Sequence, residues 1–200
     1  DEGIYMAIIT MDTPGGLDLA MRDIIQAILE SEIPVATYVY PQGSRAASAG
    51  TYILYASHVA AMAPATNLGA ATPVQIGLPS FSDELPDELP TNITGDNETE
   101  AAQSTGSTAM ERKIMNDATA YIRGLAELHG RNAEWAVSAV TDAATLSATE
   151  ALGLNVIDIV ADDLDDLLVQ MNGMQVTVDG QVMVLATSDK TLHMDTSDWR

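Results

Sequence analysis

The sequence contains no cysteine. That removes disulfides, thiolate metal sites and a cysteine nucleophile, and it fixes no compartment. Lysine is nearly as scarce: Lys113 and Lys190 stand against 29 acidic residues. The net charge of −21 argues against contact with DNA, RNA or an anionic membrane surface, since too few cations exist to neutralise phosphates. Aromatic residues make up 4%, so the core must be built from Ala, Val, Ile, Leu and Met, for which a 46% hydrophobic content suffices. No window reaches the roughly 18 consecutive apolar residues of a membrane span. No signal peptide opens the sequence, which starts almost inside the apolar run Ile4-Tyr5-Met6-Ala7-Ile8-Ile9, as expected of a fragment of something longer. A length of 200 residues points to one domain with at most a small appendage.

What is present alternates. Ile4 to Met11 predicts a buried strand ending in the turn Asp12-Thr13-Pro14-Gly15-Gly16. Leu17, Ala20, Met21, Ile24, Ile25 and Ile28 follow at helical spacing. Val35 to Tyr40 predicts a strand, Tyr52 to Ala56 a helix, and His58 to Met62 a third strand. This order predicts an α/β layout with mostly parallel strands. From Val74 to Thr108 the character changes: seven acids, three prolines and no base predict a flexible acidic insertion. Asn92-Ile93-Thr94 and Asn97-Glu98-Thr99 fit the glycosylation acceptor pattern, which also arises by chance in Thr-rich tracts. From Met110 to Leu128 the periodicity predicts a long amphipathic helix, followed by a helix over Ala133 to Val140. Ser147-Ala148-Thr149-Glu150 has the capping-box pattern, with Gly153 as the expected stop. A strand over Val156 to Val160 and an acidic helix carrying Leu164, Leu167 and Leu168 come next. Gln175 to Leu185, interrupted by Asp179-Gly180, predicts a β-hairpin.

The stretch Gly43-Ser44-Arg45-Ala46-Ala47-Ser48-Ala49-Gly50-Thr51-Tyr52 lies at a strand-to-helix turn. Ser48 is the hydroxyl placed where the helix begins, and its small neighbours let a substrate come close. Free N–H groups and positive potential at a helix start suit a serine whose reaction builds an oxyanion. The alternative is an ordinary helix-start serine in a tight packing spot. A nucleophile needs a base, and no setting of His58, His129 or His193 marks one. Lys113 falls at the flank of the apolar stripe of its helix, where partial burial would supply neutral amine. The alternative is a solvated lysine paired with Asp117 one turn on. No spacing of His or acidic residues suggests a metal, and nothing calls for a cofactor.

Taken together, Asp12-Thr13-Pro14-Gly15-Gly16, Tyr38-Val39-Tyr40-Pro41, Ala46-Ala47-Ser48-Ala49-Gly50-Thr51-Tyr52 and Ser57-His58 through Ala61-Met62-Ala63-Pro64 resemble the NfeD-like membrane-bound serine proteases, the stomatin-operon partner proteases of the Clp-peptidase/crotonase superfamily. Lys113-Ile114, Ala120-Tyr121-Ile122, Gly130-Arg131-Asn132-Ala133, Glu150-Ala151-Leu152-Gly153 and Val156-Ile157-Asp158 continue the likeness. The resemblance implies a protease domain over residues 1–173, including the insertion at 74–108, and a C-terminal hairpin and linker over 174–200. It implies a spiral of ββα units and a Ser-Lys dyad, with Ser48 as nucleophile and Lys113 as general base. An oxyanion hole would come from the backbone N–H groups of Gly16 and Ala49. Implied partners are an apolar peptide substrate, such as the C-terminal region of a stomatin-like membrane protein, and a second copy of the chain in a homodimer or larger assembly. The resemblance also places the domain outside the cytoplasm, as the soluble part of a membrane protein. Two competing functions stay open: a catalytically inactive peptide- or partner-binding module of the same fold, and a crotonase-like acyl-CoA enzyme. The shortage of cations for CoA phosphates weighs against the latter.

Overall fold

The computed structural model describes residues 4–73, 98–188 and 190–194. At its centre is a parallel sheet ordered β1-β2-β4-β7, from β1 (Ala7–Met11), β2 (Val35–Val39), β4 (Val59–Met62) and β7 (Ile159–Val160). β2 is buried along its whole length, and its residues alternate between two apolar clusters. Val35 and Val39 face α1 (Asp18–Leu29), α2 (Ala49–Ala56), α3 (Glu98–Leu128), α4 (Ala133–Thr141) and α5 (Ala148–Gly153). Ala36 and Tyr38 face α6 (Leu164–Met171) and the strand β8 (Gln175–Val178). Sheets covered on both faces give apolar strands in place of simple alternation, which is the pattern seen here.

Three short strands form a second sheet, ordered β3-β5-β6: β3 (Arg45–Ala47), β5 (Asn67–Gly69) and β6 (Thr145–Ser147). None stands out in the sequence, because three residues are too few for a periodicity. The capping box of α5 is formed, with Ser147 accepting from the Glu150 N–H and Glu150 accepting from the Ser147 N–H. Gly153 is the last residue of α5; the left-handed residue that turns the chain is Asn155, at φ 57°. β8 pairs antiparallel with β9 (Gln181–Val184) across Asp179 and Gly180, both at positive φ. α3 begins at Glu98, well before Met110, on a stretch rich in Ala and Glu without proline. Residues 74–97, with Asn92 and Asn97, lie outside the described residues. Among the described residues no helix is long and apolar enough to cross a membrane.

Two joints hold the layers. Tyr5 donates to the Val184 carbonyl at 3.3 Å and accepts from the Ala186 N–H at 2.8 Å, stitching the residues before β1 to the end of the β8–β9 hairpin. Arg131 is buried at the end of α2, where helix carbonyls lack partners. It donates to the carbonyls of Tyr55 at 3.0 Å and Ser57 at 2.9 Å, and to Asp158 Oδ2 at 2.6 Å. The same Asp158 oxygen accepts from the Ala60 N–H at 2.7 Å, so one ion pair ties α2 to β4. Replacing Arg131 by Met would leave carbonyls and a carboxylate unsatisfied. We expect Arg131→Met to lose about 3–5 kcal/mol of unfolding free energy by denaturant titration.

His58 and His129 meet edge to face beside this joint, with ring centroids 5.8 Å apart. Burial, then the nearby Arg131 charge, lowers His129 to about 4; burial lowers His58 as well. The unfolded chain therefore binds protons that the folded chain refuses. Stability is complete above the ordinary histidine value of 6.5 and falls as pH drops toward 4. Chemical denaturation between pH 7 and 5 should show a falling midpoint, and His129→Gln should flatten that fall.

Candidate active site

Ser48 occupies the single residue between β3 and α2. It is the N-cap of α2, yet its side chain makes no capping bond, and its backbone sits at φ 52°, ψ −116°. A non-glycine residue held there stores roughly 1–3 kcal/mol, which the surroundings must offset. They do so through backbone contacts. The Ser48 N–H donates to the Gly69 carbonyl at 3.0 Å, and the Ser48 carbonyl accepts from Thr51 N–H at 3.0 Å. Thr51 Oγ1 donates to the carbonyls of Ala46 and Gly69 and accepts from the Gly69 N–H. An added Cβ at Gly69, where φ is +128°, would lie 2.1 Å from the Ala144 carbonyl oxygen. The hydroxyl is thus turned away from capping and toward open space, an orientation the sequence left undecided.

The loop after β1 comes alongside. Thr13 bridges Ala46 in parallel: its N–H donates to the Arg45 carbonyl at 2.7 Å, and its carbonyl accepts from the Ala47 N–H at 3.1 Å. Thr13 Oγ1 also donates to the Gly15 carbonyl and accepts from the Gly15 N–H. Gly15 lies at φ +139°, and a Cβ there would meet the Ser48 Cβ at 3.0 Å. Only glycine lets this loop run against the serine. Gly16, Ser48 and Ala49 line one cavity of about 240 Å³, with Leu17, Met21, Tyr52 and Tyr121 as apolar wall. Among the described residues the N–H groups of Gly16 and Ala49 donate to no acceptor.

Lys113 is exposed and lines a neighbouring cavity of about 520 Å³. The two cavities share Asp18, Arg22, Pro73 and Ala118. No hydrogen bond joins Ser48 to Lys113 among the described residues, and Asp117 pairs with Arg22 at 2.6 Å, so the lysine is not engaged by the carboxylate one turn on. The structure therefore gathers Ser48, Gly16 and Ala49 and sets Lys113 across a shared wall. The histidines are elsewhere. His129 Nε2 donates to the Ala56 carbonyl at 3.0 Å, at the opposite end of α2 and about 12 Å along its axis from Ser48. His58 Nδ1 accepts from the Val35 N–H, and His193 is exposed in the tail. Burial raises the phenols of Tyr52 and Tyr121, which keeps both neutral. Among the described residues no group of His, Asp and Glu could hold a metal ion. The wall formed by Asp18, Arg22, Tyr52 and Tyr121 was not legible beforehand, because it draws side chains from three helices.

No protein-family model matches the chain. It is 40% identical over 180 residues to the membrane-bound protease PH1510 of Pyrococcus horikoshii, covering 89% of this chain and 35% of that protein. It is 49% identical over 65 residues to the membrane protein NfeD1b of Bacillus subtilis, covering 32% of this chain and 14% of that protein. The chain thus spans about a third or less of the length of these relatives. Among solved structures, a 1510-N membrane-bound stomatin-specific protease, a lysine-to-alanine variant in complex with a substrate peptide, matches with a TM-score of 0.78 at 37% identity, over 97% of this chain and 79% of that one. A serine-to-alanine variant of 1510-N matches with a TM-score of 0.74 at 38% identity, over 92% and 79% of the two chains. The mixed α/β fold with its parallel sheet is therefore similar to that protease domain, and the chain belongs to the family of NfeD-like membrane-bound proteases.

Proposed function

We propose that this chain is a serine endopeptidase domain that uses Ser48 as nucleophile and Lys113 as general base. The observation that carries the reading is the Ser48 turn: a hydroxyl at positive φ that makes no capping bond, in one cavity with the N–H groups of Gly16 and Ala49, which donate to no acceptor among the described residues. In the proposed cycle Lys113 Nζ takes the proton of Ser48 Oγ as that oxygen bonds to the peptide carbonyl carbon. Gly16 and Ala49 N–H groups receive the oxyanion. Lys113 then gives its proton to the leaving amine as the C–N bond breaks. Water, deprotonated by Lys113, then bonds to the acyl carbon, the ester bond to Ser48 Oγ breaks, and Lys113 returns the proton to that oxygen. Each transfer requires the Lys113 side chain to cross the wall that the two cavities share.

The apolar lining by Leu17, Met21, Tyr52 and Tyr121 supports an apolar peptide segment as substrate, and the stomatin specificity of the related protease suggests the C-terminal region of a stomatin-like protein. The proposal extends to a spiral of ββα units, a protease domain over residues 1–173 followed by a hairpin and linker, assembly into homodimers or larger, and a place as the soluble, extracytoplasmic domain of a membrane protein. The separation of Ser48 from Lys113 into two cavities favours one second reading, a peptide-binding module without turnover. A fluorophosphonate probe separates the two, since covalent labelling requires an activated serine.

Ser48→Ala removes one oxygen among small neighbours. We expect unchanged circular dichroism, no fluorophosphonate labelling, and peptidase kcat/KM lower by at least about a thousand-fold. Wild-type labelling equal to that of Ser48→Ala would reject the nucleophile. Lys113→Arg keeps the charge but offers no base near neutral pH. It should fold and be inactive at every pH up to 10, while wild-type kcat/KM rises with pH. Substantial Lys113→Arg turnover would reject the lysine.

A further inference from the structure

Arg22 stands where the two cavities meet and lines both. Its Nε donates to Asp18 Oδ2 at 3.0 Å, one turn back on α1. A terminal nitrogen donates to Asp117 Oδ2 at 2.6 Å, across on α3. Its guanidinium carbon lies 4.6 Å from the centroid of Tyr121, which stacks on Tyr52. A planar fork can serve two carboxylates and an aromatic face at once, which a lysine ammonium cannot.

Asp117 is four residues after Lys113, the separation at which a lysine and an aspartate on one helix pair. Arg22 takes that carboxylate from the other helix. Among the described residues the charged groups lining the cavity with Lys113 are Asp18, Arg22 and Asp117, and the neighbouring α3 residues Glu111 and Arg112 are exposed. Both cavity carboxylates are therefore held by one guanidinium.

We infer that Arg22 is a positioning residue for the proposed reaction: by holding Asp18 and Asp117 it keeps both carboxylates off the Lys113 amine and leaves that amine available to Ser48. The inference rests on the Ser-Lys reading. Without Arg22, two negative charges face the amine in its own cavity, and an ammonium beside carboxylates keeps its proton. The guanidinium acts in the same direction itself, since a fixed cation on the cavity wall disfavours a second one.

The test is kcat/KM against pH, with an apolar peptide, for the wild type, R22Q, D117N, R22Q/D117N and K113R, with circular dichroism on each. R22Q should fold, and its rise in activity should move to higher pH by about one unit, an approximately ten-fold loss near neutrality that recovers in alkali. Adding D117N to R22Q should reverse at least half of that displacement. D117N alone should leave the profile in place, because Asp117 is already engaged. An R22Q profile that superimposes on the wild type overturns the inference. So does a loss equal at every pH and unmoved by D117N, which would make Arg22 only a brace between α1 and α3. If R22Q fails to fold, D117N alone decides: a rise moved to lower pH by about half a unit or more overturns the inference, since Asp117 would then already act on the amine. K113R separates the two levels. Turnover by K113R rejects the dyad whatever Arg22 does, whereas an inactive K113R with an unshifted R22Q rejects the role of Arg22 alone.

Discussion

The candidate site depends on one short parallel bridge, between Thr13 and Ala46. Two backbone hydrogen bonds there join the loop after β1 to the strand before Ser48. The loop brings Gly16 and the turn after the strand brings Ser48 and Ala49, so the relative position of their N–H groups is set by these main-chain bonds, with Asp12 Oδ1 accepting from the Arg45 N–H and Thr13 Oγ1 holding Gly15 in support. The small residues follow from that closeness. Gly15 must clear the Ser48 Cβ, and an added Cβ at Gly50 would lie 2.7 Å from Thr13 Cγ2. Gly69 must clear Ala144 while its carbonyl receives the Ser48 N–H. A serine held at positive φ is tolerable only within such a frame, where surrounding contacts fix every neighbour.

The elements legible in the sequence are those whose signal is local. The spacing of Leu17, Ala20, Met21, Ile24, Ile25 and Ile28 marked α1, of which Met21, Ile25 and Ile28 are buried while Leu17, Ala20 and Ile24 are exposed. Ser147 and Glu150 gave a capping box that both partners complete. The stretch around Ser48 marked the strand-to-helix turn, and the structure supplies a reason the serine is not a simple cap. What stayed hidden is non-local. β3, β5 and β6 take their identity from partners distant in the chain, such as Leu68 opposite Leu146. The start of α3 at Glu98 was hidden by composition, since acids and Ser, Thr and Gly read as loop until a helix picks them up. The relation of Lys113 to Ser48 depends on how α3 crosses α1, and no spacing along the chain encodes that.

Two of the chain's few cations sit at joints. Arg131 collects the carbonyls at one end of α2 and ties them through Asp158 to β4. Arg22 collects the carboxylates where α1 meets α3. In both places an aspartate supplies the counter-charge, and in both the planar guanidinium reaches more than one acceptor at once. Acids outnumber cations on the surface, where they repel one another in water and weaken the compact state unless salt screens them. The buried Arg131 pair, out of reach of that screening, is the joint least sensitive to salt.

Tyr5 has a mechanical meaning. Its hydroxyl clasps the Val184 carbonyl and the Ala186 N–H, so the residues just before β1 and just after β9 are held in one place. Met6 and Ile8 pack on the same sheet face as α6 and the hairpin, away from the helices that wall the Ser48 cavity. A force applied between the two ends is borne first by the Tyr5 clasp and the hairpin. Only after these part does tension reach β1, where the parallel ladder to β2 is loaded in shear, and the Thr13 bridge lies at the far end of that strand. The Ser48 turn is thereby insulated from pulling at the ends.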